Sequence, residues 1–204
     1  MRAKICGITN LTDAMHAADR GAWALGFNLC PQSSRFIEPH EVRDIVRQLP
    51  KKCLKIGIVL DPNHDDVAAL LTEIGLDFLQ VYRECDAPLA LKQRMILSLT
   101  ASRLDQLPND SVLRQYGYVL LDAPKMKGEP LGGTGRLSRW DIGCVLAKKY
   151  RLILAGGLTP SNVQSAIAQV RPFAVDVASG VQLTPGRLDD EALKHFLREV
   201  HDGA

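Results

Sequence analysis

Short apolar runs punctuate the chain at near-regular intervals: Ala3–Ile5, Ala24–Leu29, Lys55–Leu60, Phe78–Tyr82, Met95–Leu99, Tyr118–Leu121, Leu152–Ala155 and Ala174–Val177. Most are nearly continuous in Ile, Leu and Val rather than alternating with polar residues. That is the pattern of strands covered on both faces of a parallel sheet. They recur roughly every 25 residues, close to the minimum for a strand, a helix and two loops.

The segments between them carry helix punctuation. Thr12 ahead of Asp13–Arg20, with Gly21 behind, predicts a helix with an N-cap and a terminating glycine. Pro39 and His40–Gln48 predict another, ended by Pro50, where the proline ring forbids continuation. Asp61-Pro62-Asn63 opens a third through Leu71 to Gly75, and Asp86–Gln93 predicts a short or distorted helix. Thr159-Pro160 predicts a cap and a first-turn proline before Ser161–Val170, and Asp189–Val200 a final amphipathic helix. Eight strand–helix units in unbroken alternation predict an α/β fold, a single-domain (β/α)8 TIM barrel with a parallel eight-stranded core over residues 1–204. The competing doubly wound open sheet ordinarily has five or six strands and a glycine-rich first turn, which this chain lacks.

Composition narrows the function classes. With 46% hydrophobic and 24% charged residues and a net charge of +2, the chain has globular proportions. Charges of both signs are interspersed and aromatics are only 5%, so neither a basic stripe nor a base-stacking platform for nucleic acid is expected. No apolar stretch approaches the roughly 18 residues a membrane span needs, and no secretory leader is expected. The five cysteines stand apart at Cys6, Cys30, Cys53, Cys85 and Cys144, which fits neither a disulfide framework nor a zinc site. A cytoplasmic location, no metal and a monomer are the expected settings.

In such a barrel, chemistry belongs at the C-terminal ends of the strands. Those positions hold Cys6, Asn28, Arg35, Asp61, Tyr82, Asp122, Gly156-Gly157 and Asp176-Val177-Ala178-Ser179-Gly180. Cys6 is either a small buried hydrophobe or a functional thiolate. Asp122 either caps a loop or pairs with an arginine, or it is an acid/base group whose pKa burial has raised. The glycines after the seventh and eighth runs either make tight turns or let backbone N–H groups approach an anion beside a helix N-terminus. Loops seven and eight are the recurrent phosphate site of these barrels, so a phosphorylated small molecule is the expected partner. Gly132-Gly133-Thr134-Gly135 after the sixth run is a weaker signal of the same kind. Arg35 is either a surface residue or, opposite a phosphate site, a planar fork for a substrate carboxylate.

Six segments in order resemble one family. They are Lys4-Ile5-Cys6-Gly7-Ile8-Thr9; Ala24-Leu25-Gly26-Phe27 followed by Pro31-x-Ser33-x-Arg35; Leu121-Asp122-Ala123; Gly132-Gly133-Thr134-Gly135; Leu154-Ala155-Gly156-Gly157-Leu158-Thr159-Pro160; and Val175-Asp176-Val177-Ala178-Ser179-Gly180-Val181. The set is similar to the phosphoribosylanthranilate isomerases of tryptophan biosynthesis, over nearly the whole chain. The resemblance implies a cofactor-free Amadori rearrangement of N-(5-phosphoribosyl)anthranilate to 1-(2-carboxyphenylamino)-1-deoxy-D-ribulose 5-phosphate. It implies Asp122 as the general acid that opens the ring and Cys6 as the general base that takes the C2 proton. It places Arg35 and Asp176 on the substrate, and Gly156, Gly157, Ser179 and Gly180 on the phosphate. A thiol near backbone dipoles at the barrel mouth is expected to have a lowered pKa. The chain departs from the family pattern at Tyr82, Arg83 and Ser98, which usually read histidine, glycine and lysine, and around Cys30 and Ser34 in the loop after the second run. A degenerate barrel that binds a phosphorylated metabolite without turnover is the alternative those departures suggest.

Overall fold

A computed structural model describes residues 1–60, 63–100, 103–124 and 137–203. Its strands and helices alternate from the start: β1 (Arg2–Cys6), α1 (Leu11–Asp19), β2 (Ala24–Asn28), α2 (Pro39–Val46) and β3 (Leu54–Val59). Then come α3 (His64–Glu73), β4 (Phe78–Val81), α4 (Leu89–Lys92), β5 (Met95–Leu99), α5 (Asp110–Leu113) and β6 (Tyr118–Leu121). The last third holds α6 (Trp140–Ala147), β7 (Leu152–Leu154), α7 (Val163–Val170), β8 (Ala174–Val177), a short β9 (Gln182–Thr184) and β10 (Arg187–Leu188), and α8 (Asp190–Asp202). Strands β1 to β8 pair in sequence order, all parallel, and β8 pairs back onto β1 to close the barrel. This is the predicted (β/α)8 architecture. The antiparallel β9–β10 pair stands outside it.

The two-residue side-chain period of a strand divides the apolar residues into two layers. Ala3, Ile5, Leu25, Phe27, Val119 and Leu121 join Ala17, Val42, Ile142, Val163 and Phe196 of the helices in the outer core. Ala24, Ile56, Ile96, Leu120, Ile153 and Ala174 fill the barrel interior. Each large side chain so buried contributes roughly 1.5–3 kcal/mol. At the N-terminal end of the strands Trp23, Phe78, Tyr118 and Phe173 meet edge-on or tilted, with ring centres 5.2–5.7 Å apart. Arg151 lies 4.3 Å from the centre of the Tyr118 ring and 4.5 Å from that of Phe173, and donates to the Tyr118 hydroxyl at 2.8 Å. The bottom is thus plugged by rings and a cation, which leaves the other end for chemistry.

Helix starts differ from the sequence reading where a side chain finds a closer backbone donor. Asn10, not Thr12, caps α1, accepting from the Asp13 N–H at 2.8 Å. Helix α7 begins at Val163 because Asn162 turns back to the preceding loop, accepting from Thr159 N–H and donating to Gly157 O, both at 2.9 Å. Asn63 caps α3 and Asp189 caps α8. The expected Asp86–Gln93 helix is a single turn, Leu89–Lys92. Helix α6 and the β9–β10 pair were not predicted.

Candidate active site

A cleft opens at the C-terminal ends of the strands. Its walls bring together Cys6, Arg35, Tyr82, Asp122, Gly156, Gly157, Asp176 and Ser179, contributed by six separate strand ends and loops. Of the site residues that the family resemblance implies, all but Gly180 lie on this lining. Asp61 and the Gly132-Gly133-Thr134-Gly135 motif lie outside the described residues.

Cys6 ends β1, and Lys4 two residues earlier points to the same side of the strand. Lys4 is completely buried, and its Nζ lies 2.9 Å from Oδ1 of Asp176, its register partner on β8. A buried cation survives only when paired. Burial by itself pushes the Lys4 ammonium down, but attraction to Asp176 and then Cys6 outweighs it and holds the group above the ordinary lysine range. The opposite balance holds at Cys6. Burial pushes its thiol above the ordinary value, Lys4 draws it down, Asp176 pushes it up and Arg35 draws it down. The lowered thiol expected from the sequence is therefore overturned: desolvation beats the cations, and the resting group is a thiol. Tyr82 is pushed well above its ordinary range, by burial first and then by Asp122, Cys6, Asp176 and Cys30. It remains a neutral phenol.

Asp122 follows β6. Its backbone N–H donates to Leu99 O at 2.9 Å, and its Oδ1 accepts from the next N–H, that of Ala123, at 2.7 Å. Strand pairing thus fixes the Cα and a backbone donor fixes one carboxylate oxygen.

Arg35 reaches the cleft from the loop after β2. Asn28 organises that loop, donating from Nδ2 to Ser33 Oγ and accepting from the Cys30 N–H, each at 2.9 Å. Gly7 has φ +78, and a Cβ there would fall 2.4 Å from Arg35 Cδ. Glycine is required twice, for the left-handed backbone and for the passage of the arginine. Arg35 Nε donates to Gln182 Oε1 at 2.8 Å, and Gln182 Nε2 donates in turn to the carbonyls of Cys6 at 3.2 Å and Gly7 at 3.3 Å. Gln182 belongs to β9.

The loops after β7 and β8 are locked together. A Cβ on Gly180 would lie 2.1 Å from the Leu158 carbonyl oxygen. Gly180 therefore holds the two loops in contact from behind, while Gly156, Gly157 and Ser179 face the cleft. Gly156 and Gly157 both have positive φ, +86 and +62, and line the cleft, whereas Gly180 serves the close approach of the two loops. Of the family departures, Tyr82 lines the cleft, Ser98 is buried in β5, and Arg83 is exposed and off the lining.

Three residues whose side chains bond to groups of the cleft or its loops escaped the sequence reading: Lys4, Gln182 and Asn162. Only Lys4 left a signal, a charged residue inside an apolar run. Among the described residues no three His, Cys, Asp or Glu side chains are grouped so as to hold a metal, and no helix is long and apolar enough to cross a membrane.

A closed parallel (β/α)8 barrel with ionisable side chains and paired glycine loops at one end defines the class: a barrel enzyme with a small-molecule cleft over its strand ends. Comparison with known proteins narrows this. The chain belongs to the N-(5'phosphoribosyl)anthranilate (PRA) isomerase family, whose model matches residues 3–199. It is 39% identical to the N-(5'-phosphoribosyl)anthranilate isomerase of Pelobacter propionicus, over 97% of this chain and 94% of that protein. The phosphoribosyl anthranilate isomerase structure from Thermotoga maritima matches with a TM-score of 0.86 at 32% identity, covering 99% of both chains. A phosphoribosyl anthranilate isomerase bound to reduced 1-(o-carboxyphenylamino)-1-deoxyribulose 5-phosphate matches with a TM-score of 0.82 at 31% identity, again over 99% of both.

Proposed function

We propose that this chain carries out the isomerase reaction of its family, the rearrangement of N-(5'-phosphoribosyl)anthranilate, with Asp122 as general acid and Cys6 as general base. One observation carries the assignment: a carboxyl and a thiol from distant strands, β6 and β1, share one cleft with an arginine and two glycine loops. Asp122 gives a proton to the furanose ring oxygen as the C1–O bond breaks, and the anilino nitrogen lone pair closes a Schiff base to C1. The Cys6 thiolate takes the proton from C2, and the electrons released form the enolamine. Moving the enol proton to C1 completes the ketone. C2 is oxidised and C1 reduced within one molecule, so the scheme calls on no redox cofactor.

The remaining residues hold the two ends of the substrate. Gly156, Gly157 and Ser179 offer the phosphate backbone N–H groups at the loops after β7 and β8. Arg35 takes the anthranilate carboxylate through a charge-assisted pair. Tyr82, a neutral phenol, donates a hydrogen bond without adding charge. Five free cysteines suit a reducing cytosol, the location we infer for the chain.

The test follows fluorescence of phosphoribosylanthranilate incubated with the purified chain. Loss of signal dependent on enzyme concentration, inhibited competitively by inorganic phosphate, is the expected result. Phosphate-competed binding with no loss of fluorescence would leave a barrel that binds without turning over.

A further inference from the structure

The Lys4–Asp176 pair lies at the seam where the last strand closes on the first, directly below the cleft. Lys4 and Cys6 are two residues apart on β1, about 6–7 Å along the strand, with side chains on the same face. Asp176 Oδ1 receives the ammonium at 2.9 Å. A buried ion pair is weak evidence for stability alone, since the cost of desolvating both charges offsets much of their attraction. Its placement therefore points to electrostatics. We propose that Lys4 is a positioning residue for the reaction: its ammonium, anchored by Asp176, supplies the positive charge against which the Cys6 thiolate forms. The inference rests on the acid/base reading above, and deepens it.

The groups facing Cys6 decide the sign. From β1 comes Lys4, from β8 Asp176, from the loop after β2 Arg35, from the end of β4 Tyr82 and from the end of β6 Asp122. Tyr82 carries no charge. While Asp122 still holds the proton it donates, two cations, Lys4 and Arg35, stand against one carboxylate, Asp176, around the thiol; once that proton is given, the charges balance and the thiolate depends on Lys4 the more. Of the two cations, Lys4 draws the thiol down more strongly than Arg35. Asp176 has two effects: it keeps Lys4 charged in a buried place, and it competes with the thiolate for the same ammonium. One cation between two acidic groups leaves Cys6 a thiol at rest while keeping its thiolate within reach. Without Lys4, burial acts on the thiol with only Arg35 to oppose it.

The test measures the ionisation of Cys6 directly. Short pulses of iodoacetamide across a pH series, with the modified peptide quantified by mass spectrometry, report Cys6 apart from the other four cysteines. Lys4→Met should move the midpoint of Cys6 alkylation up by about one pH unit or more, and Lys4→Arg should bring most of it back. Asp176→Asn should move it the opposite way, down, since it removes the competing charge and leaves the ammonium. kcat/KM of Lys4→Met should fall by the factor the midpoint shift implies. A mere packing role predicts no midpoint shift in either variant, and an unmoved midpoint in folded Lys4→Met overturns the inference. Where Lys4→Met fails to fold, an unmoved or raised midpoint in Asp176→Asn overturns it instead. A shifted midpoint with unchanged kcat/KM supports the action of Lys4 on Cys6 and removes Cys6 as the base, so the two readings fail separately.

Discussion

The side chain of Arg35 crosses directly over the Cα of Gly7, and a methyl group on Gly7 would fall 2.4 Å from Arg35 Cδ. The residue that turns the chain after β1 thus also seats the arginine facing the cleft. Gly7→Ala should cost about 1–2 kcal/mol in backbone strain and displace Arg35. A displaced arginine gives up a charge-assisted contact worth roughly 1.5–3 kcal/mol, so KM should rise at least about tenfold with a smaller change in kcat. Gln182→Ala, which frees Arg35 Nε, should raise KM in the same direction by about three- to tenfold. Steady-state kinetics with wild-type KM in both variants would detach Arg35 from the substrate.

Cys6→Ser replaces the base with a near-isosteric hydroxyl that is far less acidic. kcat should drop by roughly 100- to 10,000-fold, the usual worth of a positioned base. Thermal denaturation should be close to wild type, since the substitution leaves the size of the side chain nearly unchanged. A serine variant turning over at the parental rate would make Cys6 a packing residue.

Asp122→Asn keeps the acceptor that meets the Ala123 N–H but has no proton to transfer. We expect kcat down at least about 100-fold with KM nearly unchanged. The pH dependence carries more information than the size of the loss. Parental activity needs Asp122 protonated and Cys6 deprotonated, so raising pH depletes one form while it enriches the other. In the variant only the Cys6 term survives. Because burial raises that thiol, residual kcat/KM should climb with pH through and beyond the ordinary thiol range. A residual rate that falls as pH rises would refute the assignment.

The contact between Gly180 and the Leu158 carbonyl makes loops seven and eight one unit. A methyl group at Gly180 would sit 2.1 Å from that oxygen, so Gly180→Ala forces the loops apart. The expected result is a rise of about tenfold in both KM and the inhibition constant of inorganic phosphate, the cost of one lost bond to a charged group. Inhibition by a substrate analogue lacking the phosphate should be unaffected. Equal weakening of both inhibitors would mean general damage to the barrel.

Arg151 is exposed and far from the cleft, yet it covers two rings of the lower plug. Arg151→Met should lower stability by about 1 kcal/mol through loss of the cation–ring contacts and of the bond to Tyr118. kcat and KM should stay at parental values. Calorimetry and kinetics on one preparation check both halves.

The barrel was legible because its strands are short, apolar and evenly spaced. Met95–Leu99, Tyr118–Leu121 and Ala174–Val177 match the observed strands to the residue. Helix starts were less legible: Asn10 and Asn162 act through side-chain bonds to particular N–H groups, and several residues in each stretch have the chemistry to do so. The lining of the cleft could be read from strand ends. Lys4 could not, since its role depends on Asp176 being 172 residues away and on the two strands pairing in register. Gln182 was hidden for the same reason. The direction of the Cys6 shift was misread because dipoles at a strand end were weighed without the depth of burial.

The closure of the barrel between β8 and β1 has a consequence for the order in which the molecule comes into being. Synthesis delivers Lys4 and Cys6 before Asp176, 172 residues beyond Lys4, and pairing across such a separation is slow to form. Until β8 docks on β1, Lys4 lacks Asp176, its partner in the closed barrel. A growing chain therefore carries Cys6, Lys4 and Arg35 well before the carboxylate that anchors Lys4. The charged surroundings of the thiol are complete only when β8 pairs with β1.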